Sequence, residues 1–193
     1  MSTNRGQVHF YPVYIQGSIE IDCLYLEGIN MPKAAGGTQV VRTNNAASVV
    51  HDLIVRNVRI SQTQNDGYLV HQNAITIDRL TMSGITQIGG SALYVQPSGS
   101  TPVCRVSLSD SYTSANSMAE LSGPSEWSFG PRVVANVGYQ VFLVQYLAAT
   151  MIIGGSGITN PNEKTVFAGG ANPWPPSAPD RLALPATSAS SQR

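Results

Sequence analysis

Charge is scarce in this chain. Eleven Lys and Arg offset eleven Asp and Glu, and only 11% of the 193 residues are charged. That composition offers no basic surface for nucleic acid and none for an anionic membrane. Cysteine is scarcer, at two residues, so no disulfide framework exists. Long apolar runs are absent too. The longest, Val141 to Ile153, has 13 residues and contains Gln145 and Thr150, short of the ~20 that cross a bilayer. The opening MSTNRGQ lacks the apolar centre of a secretion signal, so synthesis and assembly inside a cell are expected. No His, Cys, Asp and Glu residues show metal-ligand spacing. The stretch Gly154-Gly155-Ser156-Gly157 has neither the lysine nor the following helix of a phosphate loop and reads as a turn. No metal, cofactor, nucleic acid or membrane insertion is therefore expected. With few charges available, Ser, Thr, Asn and Gln must supply the polar surface.

What the chain does have is a repeat. The stretch Ile75–Ile85, ITIDRLTMSGI, recurs as IEIDCLYLEGI at Ile19–Ile29, with apolar residues at the first, third, sixth, eighth and eleventh places. Three weaker copies carry parts of the template. Leu53, Val55, Val58 and Ile60 fill its first four apolar places, Val103, Val106 and Leu108 the middle three, and Val134, Val137, Tyr139 and Phe142 the last four. On this alignment the sixth place falls at residues 24, 58, 80, 106 and 137, with steps of 34, 22, 26 and 31. Steps of that size suit the coils of a solenoid. Two residues interrupt the period-two pattern between the third and sixth places, which predicts a corner there, at Cys23, Asn57, Arg79, Arg105 and Asn136. Asn suits such a corner because it tolerates left-handed backbone. A further apolar segment follows Gly37, Gly67 and Gly90, giving three short strands per coil. On this count Cys23 and Cys104 lie in the first and fourth coils, ~15 Å apart and beyond disulfide reach.

The repeat resembles, from about Val8 to Phe142, the single-stranded right-handed β-helices of pectate-lyase type, a group that includes phage tailspikes and related virion proteins. The expected fold is all-β: a short right-handed parallel β-helix of about five coils with a terminal cap over residues 1–167, then an extended Pro-rich arm over 168–193. Within the arm, Trp174 beside Pro175 and Pro176 is the expected anchor on another subunit. The expected function is that of a structural protein of a bacteriophage particle, a non-enzymatic spike or surface decoration used in host attachment. Its partners would be other virion proteins, and the resemblance implies a homotrimer. The alternatives are a tailspike-like depolymerase, hydrolase or lyase, acting on host surface polysaccharide, and a glycan-binding module without catalysis.

Candidate site residues follow from the columns of the alignment. Asp22, Arg56 and Asp78 share the fourth place, which sets the two acids about 9.5 Å apart, inside the range of an inverting glycosidase. The arginine between them favours an ion-pair ladder over catalysis, because it would hold both acids ionised. Ser61, Ser83 and Ser109 share the ninth place and read as a hydroxyl ladder. His51-Asp52 and His71 read as coil-boundary residues, since no serine or cysteine completes a triad. Glu120 and Glu126 flank Gly123-Pro124 and neighbour Trp127, an acid-plus-aromatic grouping that sugar-binding clefts use. Glu120 and Glu126 thus join Asp22 and Asp78 as weak catalytic candidates, and Trp127 is the candidate glycan contact.

Overall fold

The computed structural model describes residues 12–31, 38–44, 48–61, 67–72, 75–96, 104–121, 125–138, 141–144, 150–153, 158–159 and 167–168. Every regular element among them is a strand. The chain runs through β1 (Val13–Ile15), β2 (Glu20–Glu27) and β3 (Asn30–Met31), then β4 (Thr38–Thr43), β5 (Val49–Arg56) and β6 (Arg59–Ser61). The cycle recurs as β7 (Gly67–His71), β8 (Thr76–Ser83) and β9 (Thr86–Ile88), then β10 (Ala92–Gln96), β11 (Cys104–Ser109) and β12 (Ser111–Thr113). It continues with β13 (Ala119–Leu121), β14 (Ser125–Phe129) and β15 (Val133–Ala135), then β16 (Phe142–Val144), β17 (Thr150–Ile153) and β18 (Ile158–Thr159), with β19 (Phe167–Ala168) last.

Every third strand joins the same sheet, always in parallel, giving a first sheet of seven strands and a second and third of six each. The fold is an all-β parallel solenoid, as the repeat predicts. Because each sheet is a stack of equivalent strands, side chains at one template place form a column along the solenoid. The sixth-place column is Leu24, Leu53, Leu80, Val106, Trp127 and Ile152. The template residues Ile75, Ile77, Leu80, Met82 and Ile85 are all buried, whereas Ile21, Leu24, Leu26 and Ile29 in the end strands are only partly so. The same pattern is buried where strands cover it on both sides and half open where β2 ends the second sheet.

Two features of the sequence alignment are corrected. The pair Asp78-Arg79, lying between buried Ile77 and Leu80, points outward without ending the strand; β8 runs on through it. The chain turns instead between the second and third sheets, and each turn uses one residue of positive φ: Gly28 (70°), Asn57 (51°), Gly84 (65°), Asp110 (50°) and Arg132 (55°). Asn57 is thus a left-handed corner, but in register with Gly28 and Gly84. Cys23, Arg79 and Arg105 lie inside strands, and Asn136 lies beyond β15. A left-handed residue costs an L side chain about 1–2 kcal/mol, which is why Gly, Asn and Asp fill four of the five corners.

The second correction is register. Leu53 pairs with Leu24 and Leu80, so it fills the sixth place of its copy, and Val58 moves to the eleventh. The fifth copy is not Val134–Phe142, which spans β15 and β16. It is Ser125–Phe129, whose Trp127 and Phe129 occupy the sixth and eighth places. Beyond Phe142, where the sequence reads as the final strands or a cap, β17 stands as a sixth strand of the second sheet.

Leu80 is fully buried, so Leu80→Ala is expected to lower stability by about 2–5 kcal/mol. Thr81→Ala, on the outward side, is expected to be nearly neutral. Thermal unfolding of the two variants checks the inward and outward assignment.

Candidate functional site

Asp22, Asp78, Glu126, Arg56, Ser83 and Ser109 stand on the outer face of the second sheet. Five outward columns cross it, of which Glu20, Val49 and Thr76 form the first. The second carries Asp22, His51 and Asp78, which face one another between the Ile21–Val50–Ile77 and Cys23–Asp52–Arg79 pairings. The next carries Cys23, Asp52, Arg79, Arg105 and Glu126. Then come Tyr25, Ile54, Thr81, Ser107 and Ser128, and last Glu27, Arg56, Ser83 and Ser109. Parallel stacking places the four residues of neighbouring strands side by side, about 4.8 Å apart, so charges in one column meet directly.

They meet as pairs. Arg79 grips Asp52 with both Nε and Nη2 at 2.5 Å, a two-pronged fit of guanidinium on carboxylate. These bonds hold the Asp52 carboxyl below its usual range. Arg105 Nε lies 3.4 Å from Glu126 Oε2. His51 Nδ1 lies 2.7 Å from Asp78 Oδ2 and its Nε2 3.0 Å from Glu20 Oε1. At the corner column Arg132 pairs with Asp110. Asn57 donates to Glu27 Oε1 at 2.9 Å and Tyr25 to Oε2 at 2.7 Å, which lowers the Glu27 carboxyl.

The expected Asp22–Arg56–Asp78 ladder is corrected: the ring nitrogens of His51 bond Asp78 and Glu20 instead. His51, not Arg56, lies between Asp22 and Asp78, while Arg56 sits in the Glu27 column over the Tyr25 ring, 5.8 Å from its centroid. The acids keep the two-strand separation of the sequence reading, but the space between them holds an imidazole bonded to Asp78. Ser83 and Ser109 share a column as expected; Ser61 pairs instead with Ile88 in the third sheet.

Glu120 and Glu126 do not form a site. Glu126 faces out from β14, whereas Glu120 belongs to β13 in the first sheet, between Val95 and Leu143. Burial raises the Glu120 carboxyl above the usual range, yet no second candidate acid accompanies it in that column. Trp127 is corrected as a glycan contact. It is 0% exposed, wedged against Tyr94, Phe129 and Phe142 with ring centroids 5.9, 6.1 and 5.1 Å away, and Nε1 donates to Ser125 Oγ at 3.0 Å. Neither ring face is open to a sugar. His71, by contrast, stacks on Tyr68 at 5.3 Å.

A groove on this face has no place in the repeat pattern. Thr81, Ser107, Ser109, Ser128 and Gly130 line a shallow depression of about 330 Å³; the alternating Met82, Leu108 and Phe129 turn their side chains to the core, so the side chains the groove presents are hydroxyls. Ser107 and Ser128 hydroxyls bond each other at 3.0 Å. Small side chains make this depression: beside them, in the same two columns, stand the bulkier Tyr25, Ile54 and Arg56. The signal lay in the T-x-S and S-x-S spacings of successive copies, visible only once the register is right. Among the described residues, no three His, Cys, Asp or Glu side chains are grouped to hold a metal ion, and no helix is long and apolar enough to cross a membrane. The arm residues Trp174, Pro175 and Pro176 lie outside the described residues.

No protein family, curated protein or solved structure matches the chain. The class the fold defines is the parallel β-solenoid, and the site's chemistry stands on the columns above.

The burial of Glu120 gives a signed expectation. Its folded-state pKa lies above the unfolded value of 4.5, so the folded state holds its proton more tightly and stability declines as pH rises from that value through the folded pKa. Glu120→Gln should melt higher than the parent at neutral pH, and the gap should close below about pH 4. Melting temperature against pH measures both.

Proposed function

We propose that the chain is a non-enzymatic structural protein of a bacteriophage particle, built as a right-handed single-stranded β-helix that associates as a homotrimer. It serves as a spike or surface decoration in host attachment, contacts other virion proteins and is joined to them by the arm after β19, with Trp174, Pro175 and Pro176 as anchor. One observation carries the non-enzymatic part: most acids of the outer face and its corners act as ties between coils. Asp52, Asp78, Glu27, Glu126 and Asp110 each bond a cation, imidazole or amide on a neighbouring coil. A general acid needs a carboxyl that gives up its proton to substrate, and a nucleophile or base needs one free to approach it. Carboxylates spent on cross-strand pairing do neither. The particle, the trimer and the attachment role rest on the resemblance of the repeat to tailspike-type β-helices.

A second reading is favoured by the hydroxyl-lined groove. The hydroxyls of Thr81, Ser107, Ser109 and Ser128 supply the donors and acceptors that sugar hydroxyls need. This supports a glycan-binding module on host surface polysaccharide, and a depolymerase only if cleavage is seen.

The first reading expects the intact chain to sediment as a trimer and to release no oligosaccharide from capsular polysaccharide or lipopolysaccharide. A chain ending after Ala168 should keep its β circular-dichroism spectrum and lose attachment to the particle. Oligosaccharide release by the intact chain would replace this reading with the depolymerase.

A further inference from the structure

We propose that His51, clasped between Glu20 and Asp78, is a pH-sensitive latch that fastens the end strand β2 to the solenoid. The argument begins with hydrogen count. Both ring nitrogens of His51 lie within hydrogen-bond distance of carboxylate oxygens, Nδ1 at 2.7 Å from Asp78 and Nε2 at 3.0 Å from Glu20. Ionised carboxylates only accept, and a neutral imidazole has a single N–H. Both bonds therefore form only with the imidazolium.

The three residues stand on β2, β5 and β8, adjacent in the second sheet, so the cation joins three successive strands. Every charged group facing it has been placed. Asp22 on β2 is next in the same column, Asp52 lies beside it on β5, and on β8 Arg79 is already engaged by Asp52. Four carboxylates and one occupied guanidinium surround the ring, and hydrogen bonds to Asp78 first and Glu20 second raise its pKa above 6.5. For a histidine whose pKa is raised on folding, the stabilising contribution is complete below the unfolded value and is lost as pH rises through the folded one.

Loss is one-sided. A neutral ring keeps its proton on Nδ1 for the closer Asp78 and turns a lone pair toward Glu20, whose side chain is 73% exposed and free to turn to water. The β5–β8 tie survives and the β2 tie is released. It matters at β2 because, among the described residues, that strand has a ladder on one side only and its inward Ile21, Leu24 and Leu26 are only partly buried. Acid pH fastens the end of the solenoid, and alkaline pH loosens it while the strands behind stay paired.

The test is amide hydrogen exchange, read as protection factors, on the intact chain at about pH 5.5 and about pH 8.5, either side of an ordinary histidine pKa. The latch predicts that β2 amides lose protection several-fold at the higher pH, that β5 and β8 amides do not, and that Glu20→Gln removes the pH difference. Because Glu20 is exposed, that variant is expected to fold normally, and it leaves the Asp78 bond intact. Equal loss of β2 protection in the parent and in Glu20→Gln, or no loss in the parent, would overturn the proposal.

Discussion

Everything in this structure depends on stacking strands in register. A parallel strand satisfies its backbone groups on two neighbours, and in a solenoid those neighbours are the preceding and following passes of the same chain. The side chains are then bound by the same rule. A row of Ile, Leu and Val is sealed from water only when an equivalent row lies on each side. Ile75, Ile77, Leu80, Met82 and Ile85 meet that condition and are buried; Ile21, Leu24, Leu26 and Ile29 have one neighbour row and stay partly open. On the outer face a charge repeated down a column would repel itself, and where Arg79 and Arg105 stand side by side each has an acid on its other side. Asp52 answers Arg79 and Glu126 answers Arg105. In a chain with so few charges, pairing most of those on one sheet amounts to a structural use of them.

The corners supply the second constraint. One left-handed residue per pass turns the chain from the second sheet into the third, and the residues that do so differ: Gly28, Asn57, Gly84, Asp110, Arg132. What recurs is a backbone conformation, not a residue type. This is why the corners were only half legible. Asn57 was picked out on its tolerance of left-handed backbone, while Arg132 gives no sequence signal at all. Its pairing with Asp110 one strand back accompanies the strained conformation.

The fold itself was legible because two copies, Ile19–Ile29 and Ile75–Ile85, keep all five apolar places. The other copies were harder for a physical reason. Val55 and Val58 are both buried and three residues apart, just as the third and sixth template places are. A copy can therefore slide by five places and still look amphipathic, which is how Arg56 entered a column that belongs to His51. The Trp127 strand was hidden by its own chemistry: Ser, Glu and Ser alternate with the two aromatics, and a nearby Gly-Pro reads as a turn. Trp127, Tyr94, Phe129 and Phe142 then form an aromatic cluster that three separate strands bring together, and no local pattern announces it. The candidate site suffered accordingly. Asp22, Asp78 and Glu126 do share one face, but His51, which ties Asp78 to Glu20, reads from sequence only as a boundary residue.

The account stands or falls on the register of the second sheet, and cross-linking measures it directly. Cysteines at Ile54 and Thr81, in a chain whose own Cys23 and Cys104 are changed to Ser, stand on paired positions of β5 and β8. Their Cα atoms should be about 4.8 Å apart, within disulfide reach. Cysteines at Arg59 and Thr81, the pairing that the uncorrected repeat alignment demands, fall on different sheets. The structure predicts that oxidation links the first pair and leaves the second free; a disulfide in the second pair and none in the first would contradict it.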